Sequence, residues 1–320
     1  MEPQQTMPLA RGPLADQWPD TDEPVRYIDR THAWYDALGT NNRYRYAHFQ
    51  DVPFLALSKP LSQCTVTLVT TAAPYRPGLG PQDAGAPYNA AAKFYKVYSG
   101  DTTLDHDLRI AHLSVNREQL SDDGNAWFPL PALRRAAASG RVGTVAARFH
   151  GLPSNRSQRH TLQVDCPELL ARCQADAVDV ALLIANCPVC HQSMALAARH
   201  LEASGISTVL LGAARDIVEW CGVPRLVFSD FPLGNAAGRP WDLSSQDATL
   251  ELALRVLETA LAARTTVQSP LRWHPDALWK PRVLNPALLT ADDIARVQAE
   301  NASIKATAQA LRDSELRSSS

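Results

Sequence analysis

The sequence has no long apolar run, no excess of basic charge and only one close pair of cysteines, and each lack narrows what the chain can do. No stretch approaches the ~20 consecutive apolar residues that a membrane-spanning helix needs, so no membrane segment is expected. Lys and Arg number 31 against 33 Asp and Glu, a net charge of -2. No basic stripe is concentrated anywhere, so nucleic acid is not the expected partner. The opening Met1-Glu2-Pro3-Gln4-Gln5 has neither a basic start nor an apolar segment; no secretory leader is expected, and the cytoplasm is the expected compartment. Gly78-Leu79-Gly80 follows a strand-like run but lacks the third glycine and the helix start of a dinucleotide loop, so no bound NAD is expected. No internal repeat is visible.

Of six cysteines, Cys64, Cys166, Cys173 and Cys221 form no close pair and read as small buried hydrophobes. Cys187 and Cys190 differ. They stand in Ala185-Asn186-Cys187-Pro188-Val189-Cys190-His191, where the apolar run Val178–Ile184 gives way to a helical pattern that is plain from Met194 to Leu201. A near-continuous apolar run is what a strand buried on both faces requires. Pro188 suits the first helical position, where its missing N–H costs nothing, which makes Cys187 the N-cap and puts Cys190 in the first turn. The positive end of the helix dipole lowers a thiol pKa and raises the thiolate fraction that sulfur chemistry needs. Asn186 and the backbone N–H groups of Val189 and Cys190 are the expected donors to a Cys187 thiolate. In a reducing compartment CxxC is catalytic or metal-binding before it is a structural disulfide. A redox dithiol is the first reading. A metal site built on Cys187 and Cys190 is the second, although zinc normally takes four ligands and no partner CxxC exists; a structural pair is the third.

Strands alternate with helices along the chain: strands at Thr65–Thr70, Leu108–Leu113, Thr144–Phe149, Val178–Ile184 and Ile206–Leu211, and helices at Val25–Leu38, Leu130–Ser139, Val164–Ala175, Leu250–Ala263 and Ala291–Leu311. This predicts an α/β fold, Rossmann-like or flavodoxin-like, with a mostly parallel sheet and helices on both faces. In such sheets the site forms at the carboxyl ends of the strands. The loops Thr70–Ala72, Arg148–Leu152, Asn186–Cys187 and Gly212–Arg215 are therefore expected to share one edge. Residues 1–24 read as disordered, 25–57 as a helical and extended arm, 58–265 as the α/β core, and 266–320 as a C-terminal arm and helix; Tyr75–Asn89 is a Gly/Pro-rich insertion.

Four more residues are candidates for substrate binding. Arg148 offers a guanidinium to a carboxylate, although a surface salt bridge explains it equally. His150 belongs to one of the edge loops. His112, near a strand end, suits binding or protonation, with a hydrogen-bonded core histidine as the plainer alternative. His191 on the first helical turn is either a proton donor or an exposed helix histidine.

Several segments in order resemble the selenoprotein B family of glycine/sarcosine/betaine reductase and D-proline reductase: Leu61-Ser62 leading into Val66–Ala72, Ser99-Gly100-Asp101-Thr102-Thr103 with Leu108–His112, Asn125–Leu130 with Leu133, Gly140–Gly143, and Phe231–Asn235 before Gly238-Arg239-Pro240. Together they span residues 60–262. The first residue of that family's redox motif is often selenocysteine, and the resemblance puts Cys187 there, with Cys190 following. Sulfur is the weaker nucleophile. His191-Gln192-Ser193 stands where some members carry a further cysteine, and the family's histidine-rich stretch is here His112–Arg117. The resemblance implies a reductase that cleaves a carbon–heteroatom bond of a small substrate, with Cys187 as nucleophile and Cys190 as resolving thiol. An external dithiol donor such as thioredoxin would restore the pair, and no bound cofactor is expected unless the thiolates hold a metal. A partner subunit (pyruvoyl-bearing in the reductase complexes) or a homo-oligomer is also implied; nothing in this chain itself calls for the pyruvoyl group. A lyase, a general disulfide oxidoreductase and a non-catalytic complex subunit remain alternatives.

Overall fold

The computed structural model describes residues 23–39, 43–74, 96–110, 123–154 and 156–318. Its strands are β1 (Thr65–Thr70), β2 (Ala73–Pro74), β3 (Tyr98–Asp101), β4 (Leu108–Arg109), β5 (Thr144–Val145), β6 (Arg148–Gly151), β7 (Val180–Ile184), β8 (Ser207–Gly212), β9 (Arg225–Phe228) and β10 (Thr265–Gln268). Its α-helices are α1 (Tyr27–Ala37), α2 (Leu130–Ala138), α3 (Gln158–His160), α4 (Cys166–Ala175), α5 (Pro188–Ala203), α6 (Arg215–Cys221), α7 (Leu243–Thr259) and α8 (Ala291–Ser318). The main sheet runs β10-β9-β8-β7-β1-β6-β3, with β5 also beside β1. All of its pairings are parallel except β3 on β6. Helices α4, α5 and α6 pack together on one face, and α2 and α7 on the other. This is the α/β architecture that the alternation of strands and helices predicts.

The apolar runs explain the centre. All residues of β7 and β8 are buried, as strands covered on both faces must be. Helix α5 is buried from Pro188 through Ala198, because the extended segment after Tyr44 lies over it: Gln192 Oε1 accepts from Ala47 N at 2.6 Å and Glu202 Oε1 from Leu55 N at 2.8 Å.

Three features depart from the sequence reading. The described part of the Leu108–Leu113 run, Leu108–Ile110, does not join the main sheet. Among the described residues it contributes only β4, which pairs antiparallel with β2 in a separate two-stranded sheet. The strand expected at Thr144–Phe149 is interrupted at Ala146 and Ala147 and resumes as β6, which moves its carboxyl end to Gly151. Strands β9 and β10, too short to show periodicity, extend the sheet beyond β8. The insertion Tyr75–Asn89, the Gly78-Leu79-Gly80 segment, His112 and residues 1–22 lie outside the described residues.

The chain divides into two compact units; among the described residues one holds 24–31 and 44–273, the other 23, 32–39, 43 and 274–318. In the second unit, Gln298 Nε2 donates to Leu38 O at 2.9 Å and Lys280 Nζ to Glu23 O at 2.8 Å. Its long helix α8 starts with reciprocal bonds between Thr290 and Asp293, a side-chain cap of first-turn donors. Among the described residues no helix is long and apolar enough to cross a membrane.

Candidate active site

The chain passes from β1 to β6 on one side of β1, then crosses back to β7 on the other and continues outward through β8 and β9. The connections leaving β1 and β7 therefore diverge, and the crevice between their carboxyl ends is the topological switch point where α/β sheets bind ligands. Thr71 and Asn186-Cys187 stand there, with Asn186 N donating to Thr71 Oγ1 at 3.3 Å.

Cys187 is the N-cap of α5 and Pro188 its first residue. The Cys190 N–H donates to Cys187 Sγ at 3.2 Å, so the sulfur does what a serine or aspartate oxygen does in an ordinary cap. Cys187 and Cys190 are joined as a disulfide, with Cα atoms 4.9 Å apart. Both are buried. The expected donor Asn186 is fully buried too, but neither end of its carboxamide has a hydrogen-bond partner among the described residues. The four remaining cysteines are buried and unpaired. Burial pushes Cys166, Cys173 and Cys221 up to about 12, which leaves them without a thiolate at neutral pH.

His191 is fully buried rather than exposed on the helix. Its Nδ1 lies 2.7 Å from the Cys187 carbonyl oxygen, and Nε2 accepts from the N–H groups of Ala213 at 2.9 Å and Ala214 at 3.0 Å. A backbone N–H only donates, so Nε2 carries the lone pair and the proton sits on Nδ1. Burial lowers its pKa to about 4, and the ring is neutral at physiological pH.

Arg148 and His150 are not brought to the cysteines. Residues two apart on a strand share a face, and both side chains of β6 turn to Asp176, which follows α4 and precedes β7. Cys187 lies beyond the opposite end of β7. Arg148 Nη2 is 2.7 Å from Asp176 Oδ1, with Nε bonding both carboxylate oxygens at 3.0 Å. Arg148 thus opens its strand instead of following it, and its charge is matched by Asp176. His150 Nδ1 contacts Ser99 Oγ at 2.9 Å; Nε2 stands 3.4 Å from Asp176 Oδ2, an electrostatic contact and not a formed hydrogen bond. Burial lowers the His150 pKa to about 4.

A cavity of about 410 Å³ opens beside the start of α2, lined among others by His106, Arg109, Trp127 and Arg134. The indole Nε1 of Trp127 and His106 Nδ1 are buried there without partners among the described residues. The pairing of Ala73 with Arg109 ties this cavity to the end of β1. Among the described residues no three His, Cys, Asp or Glu side chains gather as a metal site requires.

The β8–α6 loop, Gly212–Arg215, is expected at this edge from the sequence, but its hydrogen bonds from Ala213 and Ala214 to His191 are not. The signal available was Gly212: a Cβ there would stand 2.8 Å from His191 Cδ2, so only glycine lets the ring reach the loop.

The chain is 28% identical over 219 residues to the gamma subunit of D-proline reductase from Acetoanaerobium sticklandii, an alignment covering 68% of this chain and 88% of that protein. No family model matches the chain. No solved structure matches it either.

Proposed function

We propose that this chain is the thiol-bearing subunit of a reductase that cleaves a carbon–heteroatom bond of a small substrate through Cys187 and Cys190. The observation that carries this reading is the disulfide at the N-terminus of α5, capped by its own Cys190 N–H at the switch point of the sheet. The likeness to a D-proline reductase subunit supports the reaction class and a partner subunit, and makes a cyclic imino acid the first substrate to test. The cavity beside α2 supports a small substrate with a hydrogen-bond acceptor, since it offers the unpartnered indole N–H of Trp127; its arginines are engaged, Arg109 with Asp107 and Arg134 with the carbonyls of Thr102 and Leu104.

In the reduced enzyme the Cys187 thiolate attacks the electrophilic carbon. A carbon–sulfur bond forms as the carbon–heteroatom bond breaks, and the heteroatom leaves with the electron pair and takes a proton. The Cys190 thiolate then attacks Cys187 Sγ, forming the disulfide and releasing the carbon as a carbanion that is protonated. The substrate gains two electrons and the dithiol loses them. An external dithiol, such as thioredoxin, reduces the disulfide again.

The test blocks the second step. With the partner subunit co-expressed, Cys190→Ser protein incubated with D-proline and related imino and amino acids is expected to accumulate a covalent adduct on Cys187, read by intact and peptide mass spectrometry. Turnover by a Cys187→Ser variant at the wild-type rate would end the proposal.

A further inference from the structure

We propose that His191 is a positioning residue that, as the Nδ1–H tautomer, clamps the backbone of Cys187 to the β8–α6 loop and thereby holds the Cys187 sulfur over the Cys190 N–H. The inference rests on the reading of Cys187 as the reactive thiol and adds a residue that controls it.

The geometry is specific. The Cys187 carbonyl receives two donors from one residue, the His191 backbone N–H at 3.0 Å and the ring Nδ1–H at 2.7 Å. The other ring nitrogen accepts from two consecutive backbone N–H groups, of Ala213 and Ala214. One neutral imidazole thus bridges the carbonyl of the redox motif and the amides of a loop from the neighbouring strand. A protonated imidazole could not, because Nε2 would then face two donors with a third; the burial that keeps the ring neutral is part of the device. Gly212 gives the ring its space.

The consequence falls on the reduced state. In the disulfide, Cys190 N–H donates to a neutral sulfur. When the bond is reduced and Cys187 becomes a thiolate, the same contact becomes charge-assisted and about twice as strong, provided the backbone of Cys187 has not moved. The clamp holds that backbone still. Its loss is expected to raise the Cys187 pKa and make the disulfide harder to reduce.

Three substitutions separate the two halves of the bridge. Asparagine places an amide donor near the position of Nδ1 and keeps the bond to the Cys187 carbonyl; glutamine reaches the loop as an acceptor in place of Nε2 but gives up that bond; leucine keeps only volume. The measurements are the pH dependence of Cys187 alkylation and the equilibrium of the disulfide with dithiothreitol, which supplies two electrons and two protons and becomes its own cyclic disulfide. For His191→Leu and His191→Gln the thiolate fraction at fixed pH below the pKa is expected to fall about tenfold, and the dithiothreitol equilibrium to shift about tenfold toward disulfide. His191→Asn, which keeps the carbonyl bond but loses its anchor on the loop, is expected to lose several-fold as well, about threefold to tenfold. Gly212→Ala, which displaces the ring without changing it, should reproduce the leucine result and decides the matter with the asparagine–glutamine pair if the leucine variant does not fold. Wild-type values in His191→Gln and Gly212→Ala would overturn the clamp, and so would wild-type values in the asparagine variant, which would show that the anchor on the loop plays no part. A wild-type Cys187 that titrates at or above the ordinary thiol value of about 8.5 would overturn the reading of the site, and the clamp with it; a low wild-type value unmoved by the variants overturns the clamp alone.

Discussion

Cys187 has two roles that a single substitution can separate. Its sulfur is the reactive atom proposed here and also the N-cap of α5. Serine retains an acceptor at the cap, while alanine removes it. Capping residues contribute about 1 kcal/mol when exchanged for alanine, so in excess reductant, where no disulfide contributes, Cys187→Ser is expected to be more stable than Cys187→Ala by about that amount in urea unfolding. Equal stabilities would mean that the start of α5 does not depend on a side-chain acceptor at position 187. The comparison also fixes the control for activity: loss of turnover in the serine variant reports chemistry, whereas loss in the alanine variant mixes chemistry with a weakened helix start. The cap was legible in the sequence, since Pro188 marks the first helical position and Cys187 precedes it. The environment of His191 was not. Its position on the first turn is equally compatible with solvent and with core, and only the fold reveals that the loop after β8 passes over it.

At the scale of elements, α5 is tied to the strands beneath it by an ion pair with no access to water. Arg225 Nη1 on β9 and Glu202 Oε1 on α5 are 2.7 Å apart and both side chains are fully buried. The remaining polar atoms of the carboxylate are satisfied, with Glu202 Oε2 accepting from Thr208 N and Oγ1, each at 2.7 Å. Arg225 Nη2 donates to Leu55 O at 2.6 Å, and the guanidinium lies 4.2 Å from the centre of the Phe54 ring. Breaking one side of such a pair leaves a buried uncompensated charge, which costs about 3–5 kcal/mol. Glu202→Ala is expected to lose that much by chemical denaturation, and a loss below about 1 kcal/mol would show that the arginine finds water or another partner. Nothing in the sequence pairs these residues: Glu202 follows a helical pattern and reads as a surface position, and β9 is four residues long. The elements that sequence located well, β1, β7, β8 and α2, are those whose own apolar pattern carries the information. The strands it missed or misplaced, β3, β4, β9 and β10, are short and take their conformation from neighbours.

Across the whole molecule the parallel sheet and the edge bearing Cys187 were legible, because a parallel sheet follows from alternating strands and helices and its site follows from strand direction. The positions of Arg148 and His150 were not, because they depend on where a strand breaks and which helix covers it. That same burial gives the protein a pH response. His106, His150 and His191 are each lowered from an ordinary value near 6.5 to about 4 by removal from water. In the unfolded chain each takes up a proton near pH 6.5, while the folded protein refuses it until about pH 4. Between these values the unfolded state binds more protons, so stability rises with pH and is lost as pH falls, by up to about 1.4 kcal/mol per pH unit for each such histidine. Asp216 acts in the opposite sense. Burial raises its pKa to about 6, so the folded state binds the extra proton and the stability that depends on it is lost as pH rises through 6. Burial also raises Glu202 and lowers His200, so four histidines stand against two carboxylates, and the balance is a net loss on acidification. Urea unfolding between pH 7 and pH 4.5 is therefore expected to show stability falling with pH. A His191→Asn variant, which cannot titrate, should lower the slope by the share of one histidine. A stability that is flat or rising toward pH 4.5 would mean that these histidines protonate in the folded state, which for His191 is incompatible with Nε2 accepting from Ala213 and Ala214.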